Sequence, residues 1–581
     1  MARDDRFSKN EEIIRELEIY DGTQEKAGPI VYQDGGRLYM DTSSSHIKVV
    51  GGTGFGKSYT IINYLRTILS SKESCLVIDP KGELFENTVN HVGNHKVYCL
   101  DMRNPSTSPD RINLLAYSYW LLHSEDVAER DMGRSQIRNL AECVYPLNPN
   151  AEPFWDIAAR RLLSGIMYGL SEKDIGIEKF NLKSVGRALS EAEEQNGIKT
   201  NLQIFYDSLD ADSLGKSELS TYCRCAARET RGSIFGVCNN GFQETFSVSE
   251  GLMSMLCSNP TIHLQNFDLE HEFIFYIILP DEDRIYSKIT GLIIHNFYQM
   301  LIMRAQNEYG GCLPKRTCLI LEELGSVGVA LPGLSNMVTA ARSRGIRITA
   351  CLQSDKQLAS LYSASEAKTI DSCLGVTIAF SNNDYEMLDQ WSKSVGEKLR
   401  TIVDDNHVYT RAERIISPNQ LRAMGVGRAL ILIEKCNLKF ISTIPDYHEI
   451  FEVIKEKYQR KIETKVPNIP VYSVAKAAQE IRDKEFEALL GAVKDTDIPK
   501  EPLLHSDSQN LIKKIDERIK ELEEEEEAER KRNKSESRKK NYQKPENDKS
   551  DDLPELPFTA MTEKEALEWL LNSDDEDDDE S

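Results

Sequence analysis

Long apolar runs are missing from this chain. No segment approaches the ~18 uninterrupted apolar residues of a membrane-spanning helix. The stretch from Met1 to Tyr20 is heavily charged and has no apolar run suited to a signal peptide. The expectation is a cytosolic chain. Paired cysteines are missing as well. The twelve cysteines are scattered, none in a Cys-x-x-Cys pair, and Cys223-x-Cys225 has no partner pair. That pattern argues against a zinc site and for reduced core thiols in a reducing compartment. Basic residues are the minority charge, 71 Lys and Arg against 94 Asp and Glu, for a net charge of −23. The excess is uneven. Residues 551–581 hold seven Asp and six Glu against one Lys, a net of −12. The remainder is only mildly acidic, so overall acidity does not exclude a nucleic-acid substrate for the folded part.

What the chain does have is 581 residues, enough for two to four domains, and an ordinary 40% apolar content. Its most informative stretch runs from His46 to Thr60. A short β-branched run there breaks into Gly51-x-x-x-x-Gly56-Lys57-Ser58. This is the phosphate-binding loop pattern, with a strand expected before it and a helix, from about Tyr59 to Leu69, expected after it. The spacing follows from chemistry. Glycines let the backbone curl until its N–H groups point at phosphates. Lys57 brings positive charge to the β- and γ-phosphates, and Ser58 can ligate bridging magnesium. The following helix directs its positive dipole end at the same place. Gly51, Gly52, Thr53, Gly54, Phe55, Gly56, Lys57 and Ser58, with Tyr59 at the helix start, are the candidate contacts for ATP and Mg2+.

Short apolar runs closed by turns predict strands at Ile47–Val50, Cys75–Ile78, Val97–Leu100, Phe273–Leu279, Cys318–Leu321, Ile348–Leu352, Gly375–Phe380 and Ala429–Ile433. Continuous apolar strands alternating with helices indicate a mostly parallel sheet covered on both faces. A hairpin is expected over Val31–Met40, and one charged helix over Glu11–Tyr20. The strand series stops between about Asn113 and Thr230. There the apolar residues at 155, 159, 162, 163, 166 and 170 follow helical periodicity. The expected organisation is an N-terminal segment, 1–28, then a nucleotide-binding domain in two parts, 29–112 and 231–445, around an all-α insert, 113–230. A helical extension, 446–505, and a charged, largely disordered acidic tail, 506–581, follow. In the tail, Leu511, Ile512, Ile515, Ile519 and Leu522 form one helical stripe. The run Glu523–Lys540 has almost no apolar residue and cannot form a core. A capping box at Thr562-x-x-Glu565 opens a short amphipathic helix near 562–572, either a tail helix without a role or a docking peptide.

A phosphate loop needs acid at the end of a nearby strand, to hold the metal's water shell and polarise attacking water. Two strands end in acid, one at Asp79 and one at Glu322-Glu323. In RecA-like P-loop enzymes the metal-side strand is expected beside the P-loop strand although it comes later in sequence, which favours Glu322 for magnesium and Glu323 as general base. Asp79 then reads as a strand-end turn residue before Pro80. Further on, Arg342, Arg344 and Arg347 crowd together ahead of the strand that ends at Gln353. The cluster is either a solvated face or a source of an arginine finger at an inter-subunit edge. Gln353 is placed to sense the γ-phosphate or position water.

Several segments beyond the loop carry a resemblance. They are Asp79-Pro80-Lys81-Gly82-Glu83-Leu84, Asp101-Met102-Arg103-Asn104-Pro105, Pro153-Phe154-Trp155-Asp156, Glu229-Thr230-Arg231-Gly232-Ser233-Ile234, Leu321-Glu322-Glu323-Leu324, Ala341-Arg342-Ser343-Arg344-Gly345 and Leu352-Gln353-Ser354. In order and rough spacing, from about Ile30 to Ile444, the chain resembles the TraG/TraD-like type IV coupling proteins. The resemblance implies a RecA-like P-loop NTPase with an all-α domain at the mouth of a homo-hexameric ring. It implies phosphate binding by Lys57, metal binding by Ser58, catalysis by Glu323, a trans-acting role for Arg342 and sensing by Gln353. The implied function is an ATP-hydrolysing motor that delivers relaxase-bound DNA or protein substrates to a membrane-embedded type IV secretion channel. Its DNA is single-stranded and bound without regard to sequence, and relaxosome or adaptor proteins dock on the all-α domain and acidic tail. Two departures stand out. Family members usually begin with two membrane-spanning helices, so this chain is expected to be a cytoplasmic branch recruited peripherally to the membrane's cytoplasmic face. The metal-side position usually holds Asp, where Glu322 stands here. The competing readings are a cytosolic DNA translocase of the FtsK/HerA type, and a weakly hydrolysing ATP-binding substrate receptor or scaffold.

Overall fold

The structure, a computed structural model, describes residues 6–147, 152–247, 249–258, 260–280, 284–322, 331–404, 407–452 and 468–494. Glu323, the tail 506–581 and its helix near 562–572 lie outside the described residues. The chain's contacts divide it at residue 488. The body up to that point is built on one nine-stranded sheet.

In chain order its strands are β1 (Ile47–Val50), β2 (Ser74–Asp79), β3 (Lys96–Asp101), β4 (Phe273–Ile278), β5 (Thr317–Leu321), β6 (Ile346–Leu352), β7 (Val376–Phe380), β8 (Arg428–Ile433) and β9 (Leu438–Thr443). Across the sheet the order is β9-β8-β7-β1-β6-β5-β2-β4-β3. The seven strands from β7 to β3 are parallel, and β8 and β9 are antiparallel at one edge. Burial along nearly their whole length, by mostly apolar residues, explains why the parallel strands are central: both faces are covered. One face presents Val50, Leu76, Ile277, Leu319 and Leu352 to one core, and the other presents Val49, Val77, Tyr276, Ile320 and Cys351 to a second. The helix Lys57–Leu69 seals the second core with Ile61, Ile62, Leu65 and Ile68, all fully buried. The long helix Arg284–Asn307 brings Leu292, Ile293, Phe297 and Leu301 to the first. All twelve cysteines are free, and Cys75, Cys99, Cys318 and Cys351 are buried in strands.

The order of strands corrects one expectation. The strand that ends at Glu322 does not lie beside the P-loop strand, because β6 pairs with both and stands between them. An eight-strand expectation also falls short. β9 is an edge strand whose alternation of Lys439, Ile441 and Thr443 with buried residues breaks the continuous apolar run that marks the central strands. A two-stranded antiparallel ribbon, Glu397–Asp404 with His407–Arg414, was likewise not foreseen.

Between β3 and β4 the chain runs through the helices Ala116–Leu122, Val127–Val144, Pro153–Glu172, Leu182–Glu191, Asn201–Asp207, Leu214–Cys223, Arg228–Phe246 and Glu250–Cys257. The helical run thus reaches Cys257, beyond residue 230. Among the described residues it contains one small exception to all-helix, the hairpin Gln195–Asn196 with Lys199–Thr200, which turns at Gly197 with φ of 73°. Ala159, Leu162, Leu163, Ile166 and Leu170 are buried along the helix Pro153–Glu172. The N-terminal helix is shorter than expected, Asn10–Glu16, because the chain turns extended at Leu17 and Glu18–Ile19 pairs with Arg37–Met40. Among the described residues no helix is long and apolar enough to cross a membrane.

Candidate nucleotide site

The glycine loop leaves β1 and enters the helix Lys57–Leu69 at the carboxyl ends of the parallel strands. Close packing explains its first glycine. A Cβ on Gly51 would lie 2.6 Å from the Cβ of Phe380, at the end of β7. Gly54 and Gly56 have φ of 81° and 117°, the left-handed region where a side chain is strained. Three backbone hydrogen bonds brace the loop. The N–H of Gly51 donates to Leu352 O (3.3 Å), that of Gly52 to Ser381 O (3.0 Å), and that of Gly427 to Phe55 O (3.0 Å). The loop therefore hangs from the ends of β6 and β7 and the start of β8. Its outer side, Thr53 and Gly54, is exposed.

Lys57 Nζ donates to the carbonyls of Gly51 (2.7 Å) and Gly52 (3.1 Å), which sets the ammonium inside the curl of the loop. Ser58 and Tyr59 follow in the first helical turn, both half-buried, with the Tyr59 ring edge-on to Tyr447 at 5.7 Å. Open N–H groups, an ammonium, a hydroxyl and a helix N-terminus form a donor set that fits a polyphosphate with a hard divalent cation.

Register places the other candidates. Leu352 pairs with Val50, so Gln353 follows directly beside Gly51. Its N–H donates to Gln357 Oε1 (2.8 Å) and its carbonyl accepts from Asn382 Nδ2 (2.6 Å). Leu321 pairs with Ile78, so Glu322 follows one strand further out, next to Asp79. Glu323 lies outside the described residues. Asp79 itself is fully buried and closes the Pro80-Lys81-Gly82 turn, its Oδ2 accepting from the Phe85 N–H at 2.8 Å. Burial pushes its carboxyl up to about 6, against the pull of the Phe85, Leu84 and Gly82 N–H groups and of Arg103. Arg103 crosses the same turn, donating to Lys81 O (2.6 Å) and to Asp101 Oδ1 (3.3 Å).

The three clustered arginines separate. Arg347 is fully buried, paired with Asp41 and donating to Ser45 O (2.9 Å). Arg344 is half-buried and donates to Gly311 O (3.2 Å). Arg342 is exposed in the turn Ala341–Arg344 that precedes β6, at the opposite end of that strand from Gln353. There it lines a cleft of about 650 Å³ with Ser45, His46, Thr339 and Lys435.

Sequence reasoning passed over the residues that hold the loop, Phe380, Ser381 and Gly427, and Asn382, which holds Gln353. It also passed over Lys48, although a lysine between Ile47 and Val49 in a fully buried strand is itself a signal.

A family model described as type IV secretory system, conjugative DNA transfer, matches residues 2–444. No curated protein matches the chain. Among solved structures, the bacterial conjugative coupling protein TrwBdeltaN70 in complex with sulphate is similar at a TM-score of 0.54 and 16% identity, covering 80% of this chain and 97% of that one. The plasmid coupling protein TrwB in complex with a non-hydrolysable ATP analogue gives 0.53 and 16%, covering 79% and 95%. TrwB in complex with ADP and Mg2+ gives 0.51 and 16%, covering 80% and 97%. At this identity the likeness shows the fold, a RecA-like P-loop domain with a mostly parallel sheet.

Proposed function

The chain belongs to the type IV secretory system conjugative DNA transfer family, and from that premise we propose that it is an ATP-hydrolysing coupling protein. The observation that carries this is the loop itself, open outward, with Lys57 inside its curl and Gln353 beside Gly51. The loop N–H groups from Thr53 to Gly56, with Lys57, bind and orient the phosphates, and Ser58 with Glu322 holds Mg2+. Bound Mg2+ and ATP supply the charge neutralisation and the scissile phosphoanhydride. Glu323 takes the proton of the attacking water, and Gln353 positions that water or senses the γ-phosphate. Arg342 serves the site of a neighbouring copy in a homo-hexamer. The motor engages DNA through its backbone, single-stranded and without sequence preference. Relaxosome or protein substrates dock on the all-α domain and acidic tail. The protein works at the cytoplasmic face of the membrane, where it meets the channel components.

The test is a DNA-stimulated ATPase assay of the wild type against Lys57→Ala and Glu323→Gln. The expected result is hydrolysis in the wild type alone, with nucleotide binding retained in Glu323→Gln. Hydrolysis by the wild type no faster than by Lys57→Ala, with DNA present, sinks the motor and leaves an ATP-binding scaffold.

A further inference from the structure

The strand that carries the phosphate loop contains a charge where a sheet centre normally has none. Lys48 lies in β1, between Ala350 of β6 and Thr377 of β7, three residues before Gly51. Its side chain is 8% exposed. Alternation along the strand sends it to the same face as Val50. Two carboxylates meet it there. Nζ lies 2.5 Å from Asp371 Oδ1 and 3.4 Å from Asp355 Oδ1. Asp371 belongs to the helix Ala364–Cys373, and Asp355 directly precedes the helix Lys356–Leu361.

A buried ammonium between two acids is usually only a way to satisfy a misplaced charge. The sequence positions make this one different. Asp355 stands two residues after Gln353 on the segment that leaves β6. The ion pair therefore ties the P-loop strand to the segment carrying the residue next to Gly51. That segment is fastened along its length. Gln353 is held by Gln357 and Asn382, the Ser354 hydroxyl donates to Asp384 Oδ2 at 3.1 Å, and Asp355 ends on Lys48.

We propose that Lys48 is a positioning residue for ATP hydrolysis, fixing Gln353 against the phosphate loop by clamping Asp355. This rests on the ATPase assigned above. Burial works against the ammonium, but the two carboxylates outweigh it and raise its pKa, so the clamp stays charged. Without Lys48, Asp355 and Asp371 would face one another with no cation between them. Repulsion would then open the turn after Gln353, while the glycine loop, braced from Leu352 in β6 as well as from Ser381 and Gly427, would keep its shape.

The test compares Lys48→Met, Lys48→Arg and Asp355→Asn with the wild type, each alone and combined with Gln353→Ala. Steady-state hydrolysis and binding of a fluorescent ATP derivative are measured together. Lys48→Met should lower kcat on the order of tenfold to a hundredfold, the scale of a misplaced catalytic group, with nucleotide affinity and KM unchanged. Lys48→Arg should restore most of the loss. Asp355→Asn, which keeps side-chain volume, guards against a Lys48→Met that does not fold and should lower kcat alone in the same way. In the Gln353→Ala background neither change should lower kcat further, since both act through the glutamine. Losses that multiply in that background, or kcat and affinity falling together, would make Lys48 a structural residue and overturn the proposal. So would unchanged kcat in folded Lys48→Met. A wild type no faster than Lys57→Ala brings down the ATPase assignment and this inference with it, an outcome distinct from an active wild type whose Lys48 variants match it.

Discussion

His46 sits at the root of the P-loop strand, and acid should act on the fold through it. Its Nε2 lies 2.9 Å from the Val338 carbonyl and its Nδ1 lies 3.0 Å from the Ile348 N–H. A carbonyl can only accept and an N–H can only donate, so Nε2 carries the proton and Nδ1 none. The ring is thus neutral, and it is 2% exposed. Burial lowers its pKa from 6.5 to about 4, a depression that Arg347 and Arg342 deepen and the Val338 hydrogen bond opposes. The unfolded chain takes up a proton near pH 6.5 that the folded chain refuses until about pH 4. The stabilisation from neutral, buried His46 is therefore complete above pH 6.5 and is lost as pH falls from there toward 4. At about 1.4 kcal/mol for each pH unit crossed, the whole loss is roughly 3 kcal/mol.

Urea denaturation of the wild type and of His46→Gln, followed by tryptophan fluorescence at about pH 7.5 and about pH 5, isolates this contribution. Other groups titrate in both proteins, so the difference between the two pH dependences is what counts. Replacement costs on the order of 1–3 kcal/mol at the higher pH, because the Ile348 N–H or the Val338 carbonyl loses its partner. On moving to about pH 5 the wild type should lose roughly 2 kcal/mol more than His46→Gln does. Parallel pH dependences would refute the assignment, and a steeper fall in His46→Gln would mean that the imidazole is charged in the fold.

Two further outcomes are expected. Gly51→Ala forces its Cβ to within 2.6 Å of Phe380 Cβ, so the loop must shift; overpacking of this kind costs about 1–3 kcal/mol, and ATP affinity by equilibrium titration should drop, an unchanged affinity refuting the close-packing argument. Arg342→Ala should bind ATP as the wild type does but not hydrolyse it cooperatively. Mixed with Lys57→Ala it should regain part of the activity, since each variant supplies what the other lacks; a mixture as inactive as its components would remove the trans-acting assignment.

Much of the fold was legible because of one physical fact. A parallel strand covered on both faces must be apolar at nearly every position, and such runs announce themselves at β1, β2, β4, β5 and β6, broken inside by Lys48 in β1 and by Arg347 and Thr349 in β6. Where one face is wet the signal halves. β9 alternates buried and half-exposed residues and was passed over. The ribbon Glu397–Arg414 is exposed along its described flanks and has no apolar run to betray it, although Thr401-Ile402-Val403 and Val408-Tyr409-Thr410 are β-branched or aromatic in sequence. The loop was legible for a different reason: phosphate chemistry dictates its spacing. What holds the loop was not. Phe380 and Gly427 are more than three hundred residues from Gly51, and nothing in their own neighbourhoods says that they meet it.

The order of strands bears most directly on how the site is shared. Because β6 separates the Glu322 strand from β1, the residue next to the phosphate loop is Gln353, and Glu322 stands a further strand away. The turn Ala341–Arg344 that leads into the same β6 carries Arg342. A strand of this length, Ile346–Leu352, spans about 23 Å. It is paired on both sides and anchored at its root by buried Arg347, so it does not bend back. An arginine side chain reaches only about 7 Å, far short of its own chain's phosphates across that span. Any part Arg342 takes in hydrolysis must therefore be played on another copy. The strand thus sets the proposed glutamine at one end and the proposed arginine at the other, so a part for Arg342 in hydrolysis calls for at least a second copy of the chain.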